Sequence, residues 1–136
     1  MTIELKNALS EVEALQRMLA EFGERHHLLE NIVFDVTLAL EEVLTNIISY
    51  AFDDDGEHKI RIRLSLDEGV LTAEVEDDGR PFDPLRVPAP ELSSPLEKRP
   101  VGGLGIHLIR GLMDELEYRR VRGRNVLRLK KKAKVS

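Results

Sequence analysis

The chain has 136 residues, 42% of them hydrophobic, and a net charge of −5. That is the size of one domain with material for one core, and it is too apolar for the disordered class. There is no cysteine, which excludes a disulfide framework, a thiolate metal site and a cysteine nucleophile. No apolar stretch approaches the roughly 20 residues of a membrane helix, and the start MTIELKNALSEVEAL lacks the basic opening and apolar run of a signal peptide, so a cytoplasmic protein without a membrane anchor is expected.

Thr2 to Lys6 alternates as a short strand does. Leu9, Val12, Leu15, Met18, Leu19 and Phe22 follow at helical spacing, with Gly23 predicted to end or loosen the helix. A second helix is predicted from Glu30 to Phe52, with an apolar stripe of Ile32, Val33, Val36, Leu40, Val43, Leu44, Ile47 and Ala51. The run Asp53-Asp54-Asp55-Gly56 then breaks the chain.

Ile60, Ile62, Leu64 and Leu66 alternate with Lys59, Arg61, Arg63 and Ser65, the pattern of a half-buried strand. Glu68-Gly69 supplies a hairpin turn into a second strand, Leu71, Ala73 and Val75 alternating with Thr72, Glu74 and Glu76. An irregular stretch from Pro81 to Pro100 holds all six prolines. A third helix is predicted from Leu104 to Leu116, and the strands Tyr118–Arg122 and Asn125–Lys131 close the chain as a hairpin turning at Gly123. Hairpins dominate this order, which predicts one α+β domain over residues 1–136: a two-layer sandwich, its mixed sheet mostly antiparallel, with helices on one face.

Arg119 to Lys134 carries nine basic residues and no acidic one. Such an end can bind nucleic acid. Strand alternation puts many of these charges on one solvated face, and base-stacking aromatics are missing, so nucleic-acid binding is not expected. The histidines, His26-His27, His58 and His107, lack metal-ligand spacing.

Three places break the apolar patterning. In Glu42-Val43-Leu44-Thr45-Asn46, Glu42 and Asn46 share one helix face beside Thr45 and Ser49; alone, the pair also fits an ordinary solvated face. In Val75-Glu76-Asp77-Asp78-Gly79-Arg80-Pro81-Phe82, continued alternation turns Asp77 toward the core and Asp78 outward. A buried carboxylate needs a hydrogen-bonding partner, and a ligand amino group is one candidate. The same residues also fit a strand that ends at Glu76 with both aspartates in a solvated turn. Gly102-Gly103-Leu104-Gly105 directly precedes a helix, where backbone N–H groups can hold an anion. The proline-rich stretch joins the second place to the third and has the length of a lid or binding loop.

Taken in order, E-x-x-x-N on a helix, D-x-G-x-P-F after a strand, a long loop and G-G-L-G before a helix, these motifs resemble the GHKL ATPase superfamily. Within it the chain is similar to the anti-sigma-factor serine/threonine kinases, through LALEEVLTNIISYAF, VEDDGRPFDP and GGLGIHLIRGLMDELEY. The resemblance implies ATP and Mg2+ as cofactors, with Asn46 as metal ligand and Glu42 as general base. It makes Asp77 the acceptor of the adenine amino group and gives Gly79 the turn beneath the base. Gly102, Gly103, Leu104 and Gly105 become the phosphate cradle, and residues 83–101 the ATP lid.

It further implies phosphorylation of an anti-anti-sigma (STAS-type) partner in a partner-switching system, with a sigma factor as a further partner, and a homodimer. Relatives often carry a cation shortly after the asparagine or directly before the glycines. Here Ser49, Tyr50 and Val101 stand at those positions, with Lys98 and Arg99 as substitutes nearby. The competing expectation is a nucleotide-dependent protein-binding module with little kinase activity.

Overall fold

A computed structural model describes residues 1–52, 54, 56–83 and 105–133. Strand β1 (Thr2–Lys6) leads through a 3-10 turn at Leu9–Glu11 into helices α1 (Val12–Arg25) and α2 (Glu30–Tyr50). Strands β2 (Lys59–Asp67) and β3 (Val70–Asp77) follow, then helix α3 (Gly105–Leu112) and strands β4 (Glu115–Val121) and β5 (Arg124–Lys132).

The strands form a sheet in the order β1-β2-β3-β5-β4. Every pairing among the described residues is antiparallel, where a mixed sheet is expected from sequence. The chain re-enters through α3 and β4 parallel to β3, but one strand position away, and β5 folds back into the gap. Both tight hairpins use two consecutive left-handed residues, Glu68 (φ 49°) with Gly69 (φ 76°) and Arg122 (φ 49°) with Gly123 (φ 78°). That geometry matches the right-handed twist of the flanking strands.

One row of side chains from each strand packs beneath the helices. Leu5, Ile60, Ile62, Leu64, Leu71, Ala73, Val75, Leu127 and Leu129 meet Leu15, Leu19 and Phe22 of α1 and Val36, Leu40, Val43 and Leu44 of α2 in one buried cluster. The opposite face carries cross-strand ion pairs, among them Arg61–Glu4 (3.1 Å), Arg128–Glu74 (3.1 Å) and Arg124–Glu76 (3.5 Å). Much of the basic C-terminal run is therefore matched by carboxylates of β3 and β4. Lys131 ties three elements together: its Nζ donates to Leu112 O at the end of α3 (2.6 Å) and lies 3.5 Å from Asp35 of α2.

Several boundaries differ from the sequence reading. Leu9 is 61% exposed and the α-helix begins only at Val12. Gly23 does not end α1, which runs on to Arg25; a Cβ on Gly23 would lie 2.5 Å from Val33 Cγ2, so glycine lets α1 and α2 close on each other. Helix α2 stops at Tyr50 rather than Phe52. Helix α3 stops at Leu112, because Asp114 N donates to Lys130 O (2.9 Å) and draws the chain into the sheet, so β4 begins at Glu115 instead of Tyr118.

Candidate functional site

The inward row of β3, Leu71, Ala73 and Val75, ends at Asp77, and that of β5, Leu129 and Leu127, ends at Asn125. The register places Asp77 opposite Asn125. Both are buried, at 2% and 4% exposure, whereas Asp78 is exposed. The strand thus continues past Glu76, and only Asp78 lies in a solvated position.

Asp77 Oδ1 accepts from Gly79 N and from Asn125 Nδ2, each at 2.9 Å. Neither bond uses Oδ2. Burial pushes the Asp77 carboxyl above its ordinary range and Asp78 adds to the rise, while the bonds from Asn125 and Gly79 and the charge of Arg120 oppose it.

Gly79 is required by contact rather than by backbone conformation. A Cβ there would lie 2.3 Å from Ala51 O and 2.8 Å from Ala51 Cβ. The same junction is fixed by Arg80, whose N donates to Ala51 O (2.8 Å) and whose Nε donates to Tyr50 O (2.7 Å). The end of α2 and the D-x-G turn are thereby one unit.

Asn46 reaches this unit from α2. It is 3% exposed, not part of a solvated helix face, and neither its Oδ1 nor its Nδ2 has a hydrogen-bond partner among the described residues. Burying an amide without partners costs on the order of 1–3 kcal/mol, so such a group points to a ligand that would satisfy it. Asn46, Asp77 and Asn125 line one cavity whose walls include Val43, Ile47, Val75 and Leu127, with Phe82 and Tyr118 at its side. Its free space is about 10 Å3, roughly one water molecule. A planar base would need the Phe82 side to open. The group set fits a purine nucleotide with a metal: apolar walls for the ring, a carboxylate oxygen for an amino group, and an amide oxygen for a hard cation.

Glu42 lies one turn before Asn46, is half-buried and makes no hydrogen bond or ion pair among the described residues, and it does not line this cavity. Its neighbour Glu41 is engaged by Gln16 Nε2 of α1 (2.7 Å). Gly105 begins α3. Gly102, Gly103, Leu104, Lys98, Arg99, Val101 and the lid beyond Asp83 lie outside the described residues.

Asn125 is the residue that sequence reasoning misses. It closes the row Leu129, Leu127, Asn125 just as Asp77 closes that of β3, so the alternation that turns Asp77 inward also finds Asn125.

The family profile described as histidine kinase-like ATPase domain matches residues 5–131. The chain belongs to that family. Among curated proteins, the serine/threonine-protein kinase BtrW of Bordetella bronchiseptica is 33% identical over 96 residues, covering 71% of this chain and 68% of the relative. The serine-protein kinase RsbW of Bacillus thuringiensis is 37% identical over 101 residues, covering 71% of this chain and 62% of the relative. The chain thus spans under two thirds of the RsbW length. Both relatives are named as protein kinases that act on serine or on serine and threonine.

The fold is shared with the RsbU and RsbW domains of a Mycobacterium tuberculosis protein, at a TM-score of 0.66, 13% identity, 98% of this chain and 32% of that one. It is also shared with a histidine kinase domain from Erythrobacter litoralis, at a TM-score of 0.56, 19% identity, 91% of this chain and 60% of that one. No described helix of this histidine kinase-like ATPase domain is long and apolar enough to cross a membrane.

Proposed function

We propose that this domain binds Mg-ATP and transfers its γ-phosphoryl group to a serine or threonine of an anti-anti-sigma (STAS-type) partner. The observation that carries the reading is the cavity shared by Asn46 and Asp77, in which a buried amide faces the same space as a carboxylate, the amide and one carboxylate oxygen having no hydrogen-bond partner among the described residues. The names of the kinases BtrW and RsbW support the reaction class.

Mg-ATP, when bound, would supply the phosphoryl group and the metal charge that offsets it. Asp77 Oδ2 would accept from the adenine amino group, and the apolar walls would exclude water around the ring. Asn46 would hold the metal through its amide oxygen. The glycine run Gly102 to Gly105 would hold the phosphates. Glu42, without an ion pair among the described residues while Glu41 is held by Gln16, would accept the proton of the attacking hydroxyl, an effect typically worth about 10²–10⁴-fold in rate.

A binding module that transfers little phosphate is the second reading. It is favoured by Ser49, which is exposed and uncharged at a position often cationic in relatives, and by the guanidinium bonds of Arg80 to Tyr50 O and of Arg120 to Gly79 O. Transferred charge needs cationic stabilisation.

Radiolabelled transfer from ATP to a purified STAS-type partner, with the parent and Glu42→Gln, separates the two. The kinase reading expects transfer by the parent and its loss in the variant at near-normal ATP affinity. ATP binding without transfer by the parent favours the module.

A further inference from the structure

Asn125 makes more polar contacts than any kinase role assigned above requires. Its Nδ2 donates one hydrogen to Asp77 Oδ1 (2.9 Å) and the other to Arg80 O (2.8 Å). Its Oδ1 accepts from Phe82 N (3.2 Å), Tyr118 Oη (2.5 Å) and Arg120 Nη1 (3.1 Å). Only one amide orientation satisfies this set, since a flipped amide would point its NH2 at the donor-only groups Phe82 N and Arg120 Nη1 and its oxygen at two acceptors. Both hydrogens are spent and the oxygen is saturated.

A buried asparagine left free to rotate is an ambivalent group. It could accept from the 6-amino group of adenine or donate to the 6-oxo group of hypoxanthine or guanine. A buried aspartate has the same ambivalence through its proton. The network removes the first and opposes the second. Asn125 has no donor left for a ligand, and its bond to Oδ1 is one that an ionised Asp77 accepts well.

We propose that Asn125 is a specificity-determining positioning residue, which holds Asp77 with one acceptor oxygen available and thereby makes the base pocket select 6-amino over 6-oxo purines. This deepens the ATP reading and rests on it. It acts through Asp77 rather than on the nucleotide, and the same residue pins Arg80 and Phe82, so the turn beneath the base is set by the strand pair that carries the carboxylate.

The test is a calorimetric titration of the full chain with Mg-ATP and with Mg-ITP, which differ at the 6 position, for the parent, Asn125→Ala and the near-isosteric Asn125→Asp. Thermal unfolding without nucleotide accompanies each. The parent is expected to prefer ATP by about 10- to 100-fold, the worth of one well-placed hydrogen bond against a mispaired one. Both variants are expected to unfold cooperatively and still bind triphosphate, with the ATP/ITP ratio falling toward one. In Asn125→Asp the two facing carboxyls share a proton that can be donated to a 6-oxo group, so its ratio should fall further as pH is lowered.

A folded variant that keeps the parent's ratio overturns the proposal. So does loss of cooperative unfolding in both variants, which would make Asn125 a residue of the fold alone. A parent that binds neither nucleotide overturns the ATP reading itself, and the selectivity step with it.

Discussion

Gly79 and Ala51 touch so closely that no side chain fits between them: a Cβ on Gly79 would lie 2.3 Å from the Ala51 carbonyl oxygen. The contact is backbone against backbone, at the point where the helix carrying Asn46 meets the turn carrying Asp77. Overpacking there cannot be relieved by a rotamer change. Gly79→Ala should lower stability by about 1–3 kcal/mol and loosen the turn. A drop in the urea midpoint with an unchanged slope is the expected result; an unchanged midpoint would mean that the junction is plastic.

His58 joins the same turn to the segment after α2. Its Nε2 lies 2.8 Å from Asp54 Oδ1, its Nδ1 3.3 Å from Asp78 Oδ1, and its ring stacks on Phe52 at 4.2 Å. The bond to Asp54 raises the His58 pKa above 6.5, with both carboxylates adding to it, and lowers that of Asp54 below 3.8. A raised histidine contributes stability that is fully present below its unfolded pKa and lost as pH rises through the folded one. A lowered aspartate contributes above its unfolded pKa and loses this as pH falls through its folded one. The clamp is therefore complete between the two unfolded values, 3.8 and 6.5, and is lost as pH moves outward through the folded ones. NMR titration of the His58 ring should give a pKa above that of a free histidine, and Asp54→Asn should bring it down. An identical titration in parent and variant would remove Asp54 as the cause.

Alternation along β3 and β5 is enough to place Asp77 and Asn125, because a pleated strand admits only two faces. It cannot show that the two meet, since β5 could have paired elsewhere; the register that joins them is a tertiary fact. The burial of Asn46 is not legible either. A polar residue between Thr45 and Ser49 reads as solvated, and what encloses it comes from distant parts of the chain, Val75 and Asp77 of β3, Phe82, Tyr118 and Leu127 among them. The end of α3 is ambiguous because Leu112 and Leu116 fit a helical turn, while Leu116 and Tyr118 fit a strand.

Burial raises the Asp77 pKa above 3.8, so ionising it in the folded protein costs stability as pH rises through 3.8 to the folded value. Asp77→Asn carries no such cost, and its amide oxygen can still accept from Gly79 N and Asn125 Nδ2. At neutral pH and without nucleotide the variant should melt higher than the parent, with the gain shrinking as pH falls toward 3.8. It should also lose its preference for ATP. Differential scanning calorimetry across pH checks the first part, and a lower melting temperature at neutral pH would contradict it.

The most direct test concerns Asn46. Asn46→Leu fills the same space without leaving an unsatisfied amide in the core, so the nucleotide-free domain should be at least as stable as the parent. Calorimetric titration with ATP, once with Mg2+ and once with chelator, then reads the metal's share of binding. The parent should bind more tightly with Mg2+, and the variant should show the same weak affinity in both conditions. A stable Asn46→Leu protein that keeps the parent's full difference between Mg2+ and chelator would contradict the account.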